Sequence, residues 1–268
     1  MRVTEASLEA LSERLARETP VDVLRFVHRT FGRRAAILTS MQRAGTWLCR
    51  LADRAGLDFD VLFVDTGVLH EETRRTRDEL ARAHTNLRVI TLSPARTFAA
   101  QTAEEGLLYL SVEGQERCCE LRKAAPLHAQ RGRYDALVSA LRQGEGGARS
   151  KVRPVGLDLV MGALRVHPLA HVTNAELNRA LAEDPGVVVN PLHAMGFRTI
   201  GCFPCTTPVL PDEPERAGRW RHLASVQYCG INPVDRGAAE GAIELDDRYA
   251  EALGASPSPP TPLPAGEG

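Results

Sequence analysis

Two apolar rhythms alternate along the chain. Ala35-Ala36-Ile37-Leu38-Thr39 and Phe59-Asp60-Val61-Leu62-Phe63-Val64 are short, nearly continuous apolar runs. Leu87-Arg88-Val89-Ile90-Thr91-Leu92 and residues 134–141 share that character. Between them, residues 46–55, closed by Gly56, and residues 71–84 carry apolar positions at helical spacing. Buried runs separated by helices predict a mostly parallel sheet with helices on both faces, a Rossmann-like α/β fold. In such sheets ligands bind beyond the carboxyl ends of the strands, which is where Thr39-Ser40 and Asp65-Thr66-Gly67 fall. Alternation over residues 156–169 predicts a β-hairpin at the edge of that site. Residues 1–19 place Leu8, Leu11 and Leu15 at helical spacing among charges, the pattern of an amphipathic surface helix. From Gly237 the chain turns polar, and residues 256–268 are rich in Pro, Gly and Ser, which predicts a disordered end. The expected organisation is an N-terminal helical segment (1–34), a main domain (35–235) and a C-terminal tail (236–268).

Composition narrows this picture. A chain of 268 residues suits one large domain or two small ones. With 43% hydrophobic residues and no apolar run long enough to span a bilayer, a soluble, non-membrane protein is expected. The charged N-terminal helix lacks the apolar core of a secretory signal, and six cysteines are too few for a disulfide scaffold. Both point to a reducing cytoplasm. A formal net charge of -1 argues against bulk nucleic-acid binding. A small anionic substrate needs only a local cluster of arginines.

The cysteines carry the most chemistry. Cys118-Cys119 and Cys202-Phe203-Pro204-Cys205 form two pairs, and Cys229-Gly230 stands apart. Four thiols in two pairs suit one metal centre, iron or zinc. A zinc site usually draws on two knuckles of the CxxC type, and directly adjacent cysteines fit that poorly. A cubane presents its irons at separate corners, so neighbouring thiolates can each take one. Zinc and buried unligated thiols stay open on ligand chemistry alone. Cys229 lies outside the pairs, and Arg216, Arg219 and Arg221 precede it, so cations are available to populate its thiolate. Cys49, beside Trp47 and Leu51 on the apolar side of a helix, reads as core.

Several motifs converge on one family. Cys118-Cys119-Glu120-Leu121-Arg122-Lys123, followed by Pro126-Leu127, resembles the CCxxRKxxPL motif of the assimilatory adenylyl-sulfate (APS) reductases. Asn190-Pro191-Leu192-His193 and Gly201-Cys202-Phe203-Pro204-Cys205-Thr206 are similar to that family's NPLH and GCxPCT segments. Val64-Asp65-Thr66-Gly67 with His70, Glu72 and Thr73 resembles LDTGxLHxET. Ala217-Gly218-Arg219-Trp220 ahead of Tyr228-Cys229-Gly230-Ile231 resembles the GRW and ECG(I/L)H ending.

The resemblance implies an adenine nucleotide alpha hydrolase-like fold and a sulfonucleotide reductase domain over 35–235. It implies that Cys118, Cys119, Cys202 and Cys205 bind a four-iron four-sulfur (4Fe-4S) cluster, with Lys123 between cluster and sulfate. Ser40, Asp65, Thr66 and Gly67 would line the adenosine and phosphate site. Arg142, Arg216 and Arg219 would hold the anion, Arg219 within the catalytic group. Cys229 would attack the sulfate sulfur, release AMP and become an S-sulfonate, from which thioredoxin or glutaredoxin frees sulfite. The rival readings are a 3'-phospho-APS (PAPS) reductase and a non-catalytic iron-sulfur nucleotide-binding or sensor homologue; a homo-oligomer is compatible with either.

The chain departs from the family pattern at three places. The loop after the first main-domain strand reads Ser40-Met41-Gln42-Arg43-Ala44-Gly45, so Met41 and Arg43 enter the phosphate-side lining. Tyr228 and Asn232 replace the Glu and His around the reactive Cys. His171-Val172-Thr173 replaces the usual Trp-Thr. Arg149, after Gly146-Gly147, is expected on a mobile loop over the site, and His193 in loop packing.

Overall fold

The computed structural model describes residues 1–223, 231–236 and 241–254. In chain order its first elements are β1 (Arg2–Thr4), α1 (Glu9–Leu15), α2 (Pro20–Phe31), β2 (Ala35–Leu38), α3 (Arg43–Arg54) and β3 (Phe59–Val64). There follow α4 (Glu71–Ala83), β4 (Leu87–Leu92), α5 (Phe98–Glu105), α6 (Val112–Cys119), α7 (Ala125–His128) and β5 (Ala136–Ser139). The last are β6 (Val155–Asp158), β7 (Ala163–Val166), α8 (Asn174–Glu183), α9 (Pro233–Arg236), β8 (Ala242–Glu244) and α10 (Ala250–Leu253).

Every residue of β2, β3 and β5 is buried, which is why these strands read as continuous apolar runs. They sit in the middle of a six-stranded sheet of order β4-β3-β2-β5-β7-β6. All its pairings are parallel except β6 against β7, the hairpin expected from the sequence. Strand alternation divides the apolar residues between two faces. Ala35, Ile37, Val61 and Phe63 join one core; Ala36, Leu38, Leu62 and Val64 join the other. From β2 the chain runs outward to β3 and β4, then returns to place β5 on the other side of β2. The strand order therefore reverses between β2 and β5, and a crevice opens there past the strand ends.

Two regions differ from the sequence expectation. Residues 1–19 are not one surface helix: β1 comes first, α1 spans only Glu9–Leu15, and Leu8, Leu11 and Leu15 are all buried. Their cover comes from residues 241–254, which the sequence places in a polar tail. Here β8 pairs antiparallel with β1, Arg2 opposite Glu244, and Ile243, Leu245, Tyr249 and Leu253 enter the same core. Tyr249 packs its ring 4.7 Å from that of Phe31 and donates its hydroxyl to Asp135 at 2.7 Å. The 256–268 stretch lies outside the described residues. Among the described residues no helix is long and apolar enough to cross a membrane.

Candidate active site

The crevice at the strand reversal is a cleft of about 180 Å³. Its floor comes from the ends of β2 and β5: Thr39 and Ser40 on one side, Ser139 to Arg142 on the other. Its walls are strongly cationic. Arg43, Lys123, Arg142, Arg198, Arg216 and Arg219 reach it, with Glu145 and Glu215 as acidic counterparts. Burial pulls the Arg43 guanidinium pKa down; Glu215 opposes this, and the charges of Arg142 and Arg198 add to it.

Two of these guanidinium groups are buried with donors unmet. Arg142 is 2% exposed; it donates Nη1 to the Val172 carbonyl at 3.1 Å, and its Nε has no hydrogen-bond partner among the described residues. Arg219 lies 4.4 Å over the Trp220 ring, and its Nε and Nη2 likewise have no partner among the described residues. Gly201 makes that position possible: a Cβ there would stand 2.6 Å from Arg219 Nη2 and 2.7 Å from its Cζ. Buried charges with unmet donors are costly, and an oxyanion satisfies them. The arrangement is built to take a small, multiply charged anion.

The sequence-derived binding residues divide into two groups. Ser40, Thr66, Lys123, Arg142, Arg216 and Arg219 line this one cleft. Asp65 and Gly67 are not among its lining residues. Asp65 accepts from Arg74 Nε at 3.0 Å and from the Gly67 amide at 2.8 Å, which shapes the turn after β3. Gly67, at φ +77°, leaves room for Arg122, whose Nη2 would lie 2.9 Å from a Cβ. Arg122 in turn donates to the Thr66 carbonyl at 2.5 Å and to Gln101 Oε1 at 3.0 Å. These residues hold Thr66 in place. Arg221 is also spent elsewhere: it pairs with Glu213 at 2.6 Å on the surface.

Arg43 lines the cleft, as expected for the loop after β2. Arg198 enters it too, and nothing in the sequence reading gave it a role. His193 caps the opposite wall. Its Nε2 accepts the Arg43 amide at 3.2 Å and its Nδ1 lies 2.8 Å from the Phe197 carbonyl, so the proton sits on Nδ1. Burial pushes its pKa down to about 4, against the Phe197 hydrogen bond and with the Arg43 charge. A neutral imidazole bonded on both nitrogens is a packing residue, as expected.

A second, smaller pocket adjoins the first. Cys118, Cys119, Cys202 and Cys205 all line it, with Gln115 and Lys123. Lys123 therefore reaches both pockets. It stands in a π-helical turn, Glu120–Ala124, that follows the cysteine pair; such a turn rotates the following residues relative to an α-helix. Thr66 is the other link, with its hydroxyl 3.3 Å from Cys202 Sγ. Gln115 donates to Cys119 Sγ at 2.9 Å, and Gln101 lies 3.7 Å from Cys118 Sγ. Burial pushes the Cys205 thiol up to about 12; Cys202 and Cys119 add to this, and Lys123 and Arg219 oppose it. Burial also raises Cys118, against its Gln101 hydrogen bond.

Among the described residues, no three His, Cys, Asp or Glu side chains are gathered tightly enough to hold a single metal ion. Four thiols around one pocket are a donor set that an iron–sulfur core, or zinc, would take. Such a core would also lower the thiol pKa values that burial raises. Cys49 is fully buried in the main core and its thiol is pushed up to about 12 by burial, which makes it inert. Cys229 falls in 224–230, outside the described residues.

An α/β sheet with an anion cleft at its switch point and a cysteine-lined pocket beside it defines a class: nucleotide-binding proteins equipped for sulfur or redox chemistry. Residues 34–208 match the phosphoadenosine phosphosulfate reductase domain, and the chain belongs to that family. It is 38% identical over 235 residues to the adenosine 5'-phosphosulfate reductase of Streptomyces coelicolor, covering 86% of this chain and 97% of the relative. It is 32% identical over 233 residues to the enzyme of the same name from Mycolicibacterium smegmatis, covering 85% and 96%. The crystal structure of a phosphoadenylyl-sulfate (PAPS) reductase from Candida auris, in a phosphate complex, superposes with a TM-score of 0.65 at 18% identity. That match covers 76% of this chain and 98% of that one, a likeness of fold.

Proposed function

We propose that the protein is an APS reductase of sulfate assimilation, reducing adenosine 5'-phosphosulfate to sulfite and AMP with thioredoxin as reductant. One observation carries this reading: a cleft with buried, unmet guanidinium donors shares Lys123 with a pocket lined by four cysteines. The names of the Streptomyces and Mycolicibacterium relatives agree with it. A reducing cytoplasm is the setting that suits such thiols.

Cys118, Cys119, Cys202 and Cys205 would hold a four-iron four-sulfur cluster in the second pocket. When bound, the cluster supplies a fixed charge centre at one end of the cleft and ties the two cysteine segments together. Ser40, Thr66 and the adjoining start of α3 take the nucleotide phosphate. Arg142, Arg216 and Arg219 take the remaining oxyanion charge, with Lys123 at the end nearest the cysteines. Asp65 and Gly67 act indirectly, through the turn that positions Thr66.

The thiolate of Cys229 attacks the sulfate sulfur. The new S–S bond forms as the bond from sulfur to the bridging phosphate oxygen breaks, and AMP leaves with the electron pair. Guanidinium groups lining the cleft stabilise both the thiolate and the developing charge on AMP. A thiolate of reduced thioredoxin then attacks Cys229 Sγ and expels sulfite. Its second thiol resolves the mixed disulfide, so two electrons pass from the dithiol to the sulfonate.

A PAPS reductase is the second reading. Arg43 and Arg198 favour it, because they add cations to the cleft beyond those assigned above. Turnover of the two nucleotides side by side, with reduced thioredoxin and sulfite as readout, separates the readings. APS preferred by at least tenfold in kcat/KM supports the first; preference for PAPS replaces it with the second.

A further inference from the structure

Two carboxylates line the cleft, Glu145 and Glu215, and they are placed differently. Glu145 is engaged: it accepts from Arg149 Nη1 and, at 3.2 Å, from the Arg142 amide. Arg149 itself sits on a 3-10 turn, Gly147–Lys151, tied to Glu145 and Asp235, which corrects the mobile loop expected from the sequence. Glu215 is half-buried, and its hydrogen bond from Asn174 Nδ2 is long, at 3.4 Å. Its charge is left facing the cleft.

Arg43 stands beside it. Arg43 donates Nη1 to Asn178 Oδ1 at 3.0 Å. Asn174 and Asn178 are one turn apart on α8 and share a face, so this helix holds Glu215 and Arg43 as neighbours. Burial lowers the Arg43 pKa, and the Glu215 charge opposes that lowering, as a nearby carboxylate does. Arg198 adds a second cation close enough to act on Arg43. It donates Nη1 to the Glu213 carbonyl at 2.7 Å and Nη2 to that of Pro211, which satisfies donors without cancelling its charge. This part of the cleft therefore sets one carboxylate against two guanidinium groups.

We propose that Glu215 is a specificity-determining residue, an electrostatic filter that admits a nucleotide with free ribose hydroxyls and disfavours one with a further phosphate on its ribose. The inference rests on the proposed function for the kind of nucleotide and adds its phosphorylation state. A ribose hydroxyl donates to a carboxylate without adding charge. A ribose phosphate brings about two negative charges. Glu215 repels it and offsets Arg43, the cation that would otherwise receive it. Discrimination then comes from repulsion of the wrong ligand as much as from contacts with the right one. An amide in place of the carboxylate leaves Arg43 and Arg198 unopposed and turns this corner into a second anion site.

Calorimetric titration of the full-length protein with AMP and with adenosine 3',5'-bisphosphate tests this. Wild type is expected to prefer AMP by at least tenfold. Glu215→Gln keeps the shape and should move the ratio of the two dissociation constants at least tenfold towards the bisphosphate. Glu215→Asp keeps the charge and should move it less than threefold. Arg43→Ala added to Glu215→Gln should undo most of the shift. An unchanged ratio in Glu215→Gln overturns the proposal, because a merely structural role weakens both ligands alike. So does a wild-type preference for the bisphosphate, or a shift that survives Arg43→Ala. If wild-type protein forms sulfite from neither APS nor PAPS, the function reading fails, and the affinity ratio still decides the filter.

Discussion

Gly201→Ala should disable the anion site without touching a charged residue. No left-handed backbone is required there, so alanine is tolerated conformationally and the effect is steric. Its Cβ would stand 2.6–3.0 Å from three atoms of the Arg219 guanidinium, closer than van der Waals contact allows. Arg219 is only 9% exposed and lies over Trp220, so it has little room to yield without leaving the stack. Leaving forfeits a cation–π contact of about 0.5–2 kcal/mol and a charge-assisted hydrogen bond to the substrate of about 1.5–3 kcal/mol. The sum, about 2–5 kcal/mol, corresponds to roughly a 30- to 5000-fold loss in kcat/KM. Arg219→Ala should cost a similar amount, and the double variant little more, because both changes remove one interaction. The assay is sulfite production from APS by the four proteins of the cycle, at equal iron content. Gly201→Ala within threefold of wild type, or two effects that simply add, would refute the claim that Gly201 exists to seat Arg219.

Other consequences are open to direct measurement. Replacing Cys118, Cys119, Cys202 or Cys205 by Ser should each lower bound iron and bleach the protein, whereas Cys49→Ser should not; iron assay and visible absorption after anaerobic purification decide. Lys123→Ala should lower sulfite formation about 100-fold or more while sparing AMP binding, since on the proposed reading its amine meets the sulfate of APS. The fold should lose stability in acid. His167 is fully buried against Ser139 and burial, with the Arg165 charge, pushes its pKa to about 3, while that of His193 falls to about 4. Both groups take up protons in the unfolded chain below their ordinary value of 6.5 but stay neutral in the folded one. Each therefore costs about 1.4 kcal/mol per pH unit as pH falls from the ordinary histidine value towards the folded one. Urea unfolding at pH 7, 6 and 5 checks this, and a flat stability would count against it.

The sheet was legible because its strands carry their own signal. Residues 59–64 and 87–92 form strands at the limits read from the sequence, and the hairpin, from Val155 to Val166, starts one residue before the expected stretch. The start of α3 was read three residues late, since Arg43-Ala44-Gly45 has no helical pattern of its own. The pairing of β1 with β8 was invisible: two three-residue strands at opposite ends of the chain have no periodicity to detect. At the site, residue types and motif order pointed to the four cysteines and to Arg142, Arg216 and Arg219. Which charges are already committed could not be read that way. Only tertiary contacts reveal that Asp65 goes to Arg74, Arg221 to Glu213 and Arg149 to Asp235, or that Arg198 lines the same cleft as Arg43.

The central claim is that Cys229 attacks the sulfur of APS. The most direct test is a single-turnover reaction of wild type and Cys229→Ser with APS and no reductant, followed by intact mass and AMP release. The expected result is one sulfonate gained on wild type at Cys229, with AMP released in equal amount. Cys229→Ser should bind nucleotide, keep its iron and release no AMP, because a hydroxyl is a far weaker nucleophile. Release of AMP by Cys229→Ser at the wild-type rate, or a sulfonate on another residue, would contradict the mechanism.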